Sequence, residues 1–359
     1  MKVSLFTEIQ CPSNSVPTDL FEQFLDQAEL ADRLGYDGFW VAEIHFTPSF
    51  SLLSAPYVVL GAASQRTQNL RLGVAVNTLP IHHPMQLAEH AATLDVLSRG
   101  RMDFAAGGGH PHTRAYETFG VDHEHVRNIM EESINVIRLA WTEESVDFEG
   151  RFFQVPHIVA NPKPLQKPHP PIYTAASSLD GVKFAARMGL NLFIPVHVRT
   201  MEELRSFSAT YWASLPEHGH DPAQHELGLL LPLHVAATTS AAEEHAEAGV
   251  MGYYEVIRST RANYAQWLVD QGKPLPERLR QNAASGGITY GQVCKDFAAI
   301  GTAEHVVGRI EELARETGAN HILAWMNIGS VPHADIRQSM ERFAADALPA
   351  VRALPPPSR

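Results

Sequence analysis

Cysteine is nearly missing from this 359-residue chain: Cys11 and Cys294 are the only two, and they form no CxxC pair. That excludes a disulfide scaffold and fits a reducing cytoplasm. No apolar run is long enough to cross a bilayer. The opening Met1–Phe6 reads as a strand, because a secretion signal needs a longer apolar core and a cleavage site. Positive charge is scarce as well, with 28 Lys and Arg against 40 Asp and Glu and a formal charge of −12. Nucleic acid and anionic membrane surfaces both demand the opposite balance, so neither is an expected partner. No GKS/T or GxGxxG stands between a strand and a helix, which removes the P-loop and the dinucleotide fingerprint. No fixed repeat of the solenoid kind occurs.

Histidine is plentiful, at 19 residues, yet no metal is expected. Barrel metal hydrolases place an HxH at the end of the first strand, where this chain has Glu8-Ile-Gln10. His123 and His125 open a helix, where alternate residues do not share a face. His110-Pro-His112 and the adjacent His82-His83 complete the histidine clusters.

An apolar fraction of 45% with 19% charged residues supplies ample core. Strand and helix patterns alternate along nearly the whole length. Strands are predicted at Lys2–Thr7, Asp37–Ala42, Leu70–Asn77 and Arg101–Ala106, then at Pro171–Ala175, Asn191–Val196, Glu226–Ala236 and Asn320–Asn327. Helical periodicity fills the gaps, for example Leu20–Leu34 closed by Gly35 and Thr302–Thr317 closed by Gly318. Eight such units fit a closed (β/α)8 TIM barrel better than an open sheet. The chain is read as a single domain, 1–359, with an insertion at 143–169. A second, helical insertion at 241–300 is expected to carry a mobile lid at 272–291, rich in Gly, Pro and Ser.

In such a barrel the chemistry sits at the carboxyl ends of the strands. Glu43 and His45 stand where the second strand ends, and alternation puts them on one face. Gly107-Gly-Gly109 follows the fourth strand, allowing a ligand close to exposed backbone amides, with His110 beside it. Ser177 and Ser178 open the helix after the fifth strand, a cap that also offers amides to a phosphate. Arg127 lies on the helix after the glycine loop and is expected to reach that phosphate from across the mouth. Small residues ending the third strand let a flat ring lie on the backbone, with Asn77 in hydrogen-bonding range. Phe6, Trp40, Phe50, Tyr57 and Phe193 are candidates for an apolar pocket.

Several segments then match in order and spacing. They are Ala31–Phe46 (ADRLGYDGFWVAEIHF), Leu79–Pro84 (LPIHHP), Asp95–Arg101 (DVLSRGR), Gly150–Phe153 (GRFF) and Pro170–Tyr173 (PPIY), with Gly301–Glu304 and Thr317–Asn320 near the end. Across almost its whole length the chain resembles the bacterial luciferase-like flavin monooxygenases. The resemblance implies a barrel that takes reduced FMN from a separate NAD(P)H:flavin reductase. With O2 as co-substrate it oxygenates a small organic molecule through a flavin peroxide. It places Arg127 and Ser178 at the flavin phosphate, and a non-prolyl cis peptide at Ala75–Val76 beneath the ring. It also implies a homodimer, or a heterodimer with a related chain, in the cytoplasm.

Two departures bear on the chemistry. Luciferases follow the motif acid with two histidines, the first catalytic, whereas this chain has Ile44 and then His45. Gly108 stands where light-emitting relatives have a phosphate-binding arginine, so light emission is not expected. His45 is left as the proton carrier, oriented by Glu43, with His110 as a second imidazole. The alternatives are a deazaflavin (F420)-dependent hydride transferase on the same barrel, a non-catalytic flavin binder, and a metal-dependent barrel hydrolase.

Overall fold

The computed structural model describes residues 1–110, 113–275, 279 and 287–355. Strand β1 (Lys2–Thr7) leads through helix α1 (Pro17–Leu34) to β2 (Gly38–Val41), and α2 (Pro56–Arg66) leads to β3 (Arg71–Thr78). Then come α3 (Pro84–Leu97), β4 (Met102–Gly107), a short α4 (Ala115–Phe119) and α5 (Val126–Thr142). The hairpin β5 (Val146–Glu149) and β6 (Gln154–Ile158) is antiparallel and lies within the expected insertion at 143–169. The alternation resumes with β7 (Ile172–Ala175), α6 (Leu179–Arg187), β8 (Asn191–Pro195), α7 (Met201–Glu217) and β9 (Leu227–Val235). The 32-residue α8 (Thr239–Asp270), β10 (Ala299–Gly301), α9 (Ala303–Thr317), β11 (His321–Trp325) and α10 (His333–Arg342) complete the fold.

Strands β1, β2, β3, β4, β7, β8, β9 and β11 pair in parallel in that order. Register Lys2↔His321 between β1 and β11 closes the ring. This is the (β/α)8 barrel that the alternation predicts. Its strands are apolar on both faces, as in Gly38–Val41 (GFWV), where every residue is buried, because helices cover the outside and side chains fill the inside.

Strand β10 was not expected. Its three residues are too short to show alternation, and they pair with the far end of β9, Ala299 opposite Leu233. Pro232, opposite Trp325 of β11, marks the point where β9 exchanges that neighbour for β10. A proline has no N–H to give to a ladder, so it sits where pairing changes hands. The expected helical insertion 241–300 therefore ends in a strand. Half of the expected lid, 272–291, falls outside the described residues.

Aromatic rings fill the barrel's middle. Tyr173 stacks on Phe193 with centroids 4.8 Å apart, and Trp40 meets both edge-on at 5.1 and 5.0 Å. Gly73 and Gly228 make the room, since a Cβ at either would overlap Trp40 or Phe193. Trp40 and Phe193 are thus core, and the candidate apolar pocket divides. Phe6 and Phe50 lie among other rings, beside Trp325 and His110, while Tyr57 bonds to Asn77.

Near the strands' amino ends a polar network replaces apolar filling. Glu226 pairs with Lys2, accepts from the Tyr173 hydroxyl at 3.1 Å, and lies 3.2 Å from His321 Nδ1. Arg71 Nε donates to Asp103 at 2.8 Å. Burial disfavours the Glu226 charge, but His321 and Lys2 outweigh it and hold the carboxyl at about 2, below its ordinary 4.5. A depressed native pKa stabilises fully above the unfolded value and is lost as pH falls through the native one. Glu226→Gln is therefore expected to cost about 1–3 kcal/mol at pH 7. In chemical denaturation the gap between the two proteins should close as pH drops from about 4.5 to about 2.

Candidate active site

Glu43 lies just past β2, its side chain 2% exposed. A carboxylate cannot stay charged there without donors. It has three: His45 Nε2 at 3.3 Å and His82 Nε2 at 2.6 Å, both on Oε1, and the Thr78 amide at 2.5 Å on Oε2. Burial alone would raise its pKa, but the histidine hydrogen bonds, the attraction of His82 and the Thr78 amide bring it down to about 2. Glu43 is thus an anion that ties the ends of β2 and β3 together and grips two imidazoles.

The second imidazole escaped the sequence reading, which weighed His82 only as half of an adjacent pair. Leu79–Ile81 forms a short 3-10 turn after β3, and Pro84 opens α3. His82 and His83 are held extended between them, which returns His82 to the neighbouring strand end. A buried acid one strand away, needing a second donor, was the available signal.

The peptide bond Ala75–Val76 is cis. Both residues are half-buried, and a Cβ at Gly107 would overlap Val76, so β3 and β4 touch backbone to side chain. Gly109, at φ 77°, packs the same way against Thr78. The Gly108 carbonyl accepts from the Tyr116 hydroxyl, whose pKa burial raises to about 12. Asn77 is fully buried, accepting from Tyr57 at 2.9 Å and donating to the Ala105 carbonyl at 3.0 Å. Its amide thereby ties β3 to Tyr57 of α2 and to the Ala105 carbonyl of β4.

Arg127 sits in the first turn of α5, its guanidinium 4.6 Å over the Phe184 ring. Burial lowers its pKa, while Asp180 opposes that, which puts the guanidinium within reach of the start of α6. Phe184 belongs to α6, and Ser178 caps that helix by accepting from the Gly181 amide at 3.2 Å. Arg127 therefore approaches Ser178 from the adjacent helix, since β4 and β7 are neighbours, and not from across the mouth. Among the described residues it has no hydrogen bond or ion pair. Ser177 is exposed, and its carbonyl accepts from Arg199 at 2.6 Å.

These residues line the ends of β2, β3, β4 and β7. Glu43, Thr78 and Gly109 are joined by direct contacts, Tyr116 bonds to the glycine loop, and Arg127 meets Phe184 of the helix that Ser178 caps. His110, which follows the glycine loop, packs edge-on against Phe50 at 4.9 Å. The His45 ring contacts Phe46 and Phe119, at 5.6 and 5.5 Å. Next to them opens a cavity of about 450 Å³, bounded by Phe46, Ser49, Thr113 and, on α8, Thr260, Asn263 and Trp267.

A parallel barrel with an acid–imidazole cluster and a glycine floor at its carboxyl end is the frame of an enzyme. The profile of the luciferase-like monooxygenases matches residues 1–321, and the chain belongs to that family. It is similar to the oxygenase component of the flavin-dependent trigonelline monooxygenase of Acinetobacter baylyi. The two are 27% identical over 355 residues, covering 98% of this chain and 95% of the relative. Its fold matches the FMN-bound oxygenating constituent of 3,6-diketocamphane monooxygenase from Pseudomonas putida, at TM-score 0.80, 18% identity and 98% of each chain. An F420-dependent secondary alcohol dehydrogenase bound to an F420–acetone adduct shares the fold at TM-score 0.73 and 21% identity, over 98% of this chain and 99% of that one.

Removing the Glu43 carboxylate strands three donors. Glu43→Ala is expected to lower unfolding free energy by about 2–4 kcal/mol. Denaturant titration of the two proteins measures it, and a loss below about 0.5 kcal/mol would mean that the cluster is not a clamp.

Proposed function

We propose that this chain is the oxygenase of a two-component system, working in the cytoplasm. It would take reduced FMN from a separate NAD(P)H:flavin reductase and use O2 to place one oxygen atom in a small organic substrate. The observation that carries this reading is Arg127, whose guanidinium lies over Phe184 of α6 and has no hydrogen bond or ion pair among the described residues, at the end of a glycine-floored wall. A guanidinium without an anionic hydrogen-bond partner, near the start of a helix, suits a phosphate.

Arg127, Ser177 and Ser178 would hold the phosphate tail. Ala75, Val76 and Gly107–Gly109 would form the floor for the ring, with Asn77 bracing it from behind. Bound reduced flavin supplies two electrons and activates O2. Glu43 orients His45 through Nε2, which leaves Nδ1 as the atom that would exchange a proton with the reacting molecule. His82, on the same carboxylate oxygen, shares that task, and His110 is a second candidate by the glycine loop. The walls of the mouth keep water from the reacting atoms. The functional unit would be a homodimer, or a heterodimer with a related chain.

The shared fold of an F420-dependent dehydrogenase supports a second reading, hydride transfer to or from the deazaflavin. Titration with FMN, riboflavin and F420, followed by oxygen uptake with reduced flavin, separates the two. FMN is expected to bind best, and Arg127→Ala to weaken it roughly ten- to hundredfold while leaving riboflavin unchanged. Tight F420 binding with anaerobic alcohol oxidation would favour the second reading.

His45→Ala is expected to keep FMN binding and lose most product formation. Trigonelline belongs in the first substrate panel, with small ketones and aldehydes. Unchanged turnover in that variant would remove His45 from the chemistry.

A further inference from the structure

The flavin reading uses β2, β3, β4 and β7 and leaves the other half of the mouth without a task. That half, the carboxyl ends of β8, β9, β11 and β1, holds a second cluster. Trp325 ends β11, and its ring meets Phe6, His197 and Tyr253 at 5.3, 5.4 and 4.6 Å. His197 follows β8, while Tyr253 and Arg261 lie on α8, the helix after β9. Glu8 follows β1 and is buried.

Polar atoms here lack partners. His197 Nδ1, Trp325 Nε1, Arg261 Nε and Glu8 Oε2 are buried without a hydrogen bond. Such atoms cost free energy, and several together at a catalytic mouth need an explanation. Their chemistry leans one way. The Tyr253 hydroxyl lies 3.2 Å from His197 Nε2 and has no other hydrogen-bond partner among the described residues, so it donates there. The imidazole is neutral, because burial and the fields of Arg199 and Arg261 push its pKa down to about 3. A neutral ring accepting at Nε2 carries its proton at Nδ1, which makes that atom a donor. Burial pushes the Glu8 carboxyl well up, which favours its uncharged form. Among the described residues no carboxylate is hydrogen-bonded to His197 Nδ1, Trp325 Nε1 or Arg261 Nε.

We propose that this half of the mouth is the substrate subsite, and that Arg261, His197 and Trp325 receive the carboxylate of a small, ring-sized organic acid. The rings of Phe6, Phe50, Tyr253 and Trp325 would cover the rest of that molecule. Tyr253 is a positioning residue that fixes the His197 tautomer. The 450 Å³ cavity is lined by other residues, two of which, Ser49 and Thr260, precede Phe50 and Arg261 in the chain. Phe50 lies 6.2 Å from Tyr253 and 4.9 Å from His110, and so links the cluster to the residue that follows the glycine loop. Its placement rests on the reading of the opposite half as the flavin seat.

Calorimetric titration of the purified full chain with benzoate and nicotinate, against benzamide and nicotinamide, tests this. At least one acid is expected to bind roughly ten- to hundredfold more tightly than its amide. Arg261→Gln should erase that preference, and His197→Phe should weaken the acid several-fold. Both variants should keep the FMN affinity of the parent within about twofold, which also reports that they fold. Equal binding of acid and amide, an acid preference that survives Arg261→Gln, or no binding of any probe at about 10 mM would overturn the proposal. Acid preference lost in Arg261→Gln in a protein that does not bind FMN would keep the subsite and discard the flavin reading.

Discussion

A buried carboxylate must be paid for in donors, and Glu43 has them from two strands' ends and the turn beyond. Its bonds to the Thr78 amide, His45 and His82 fix the relative height of β2 and β3. From Thr78 the alignment passes on through close packing, with Gly109 against Thr78 and Gly107 against Val76. No side chain fits between these strands, so a shift of β3 is a shift of the whole floor. The charged state of Glu43 is a structural requirement before it is a chemical one.

The two halves of the mouth are built on different principles. Over β2, β3, β4 and β7 the surface is small and flat, glycine and alanine with backbone on show, and it ends in a guanidinium. Over β8, β9, β11 and β1 it is bulky and ringed, with Trp325, Tyr253 and His197 in mutual contact. A flat polar-tailed molecule suits the first half, and a compact one held by donors suits the second.

Much of this was legible in the sequence. The alternation of apolar runs and amphipathic segments gave the barrel, because parallel strands buried on both faces read as unbroken hydrophobic stretches. Glu43, His45 and the glycine loop were visible because polar or flexible residues at such strand ends have few structural excuses. Arg127 was identified, but from the wrong side, since residue spacing does not say that α5 and α6 are neighbours. His82 was missed because its role depends on a turn that folds back to another strand. The second cluster was missed for the same reason: Glu8, His197, Arg261 and Trp325 are spread over most of the chain, and only barrel closure brings them together. Strand β10 is too short for any periodicity to reveal.

The network of Lys2, Glu226, Tyr173, His321, Arg71 and Asp103 sits at the opposite rim from all of this. That rim fastens the cylinder with bonds that no mouth residue shares, whereas Glu43 serves stability and chemistry together. Mouth residues outside the Glu43 clamp can therefore vary without loosening the far rim.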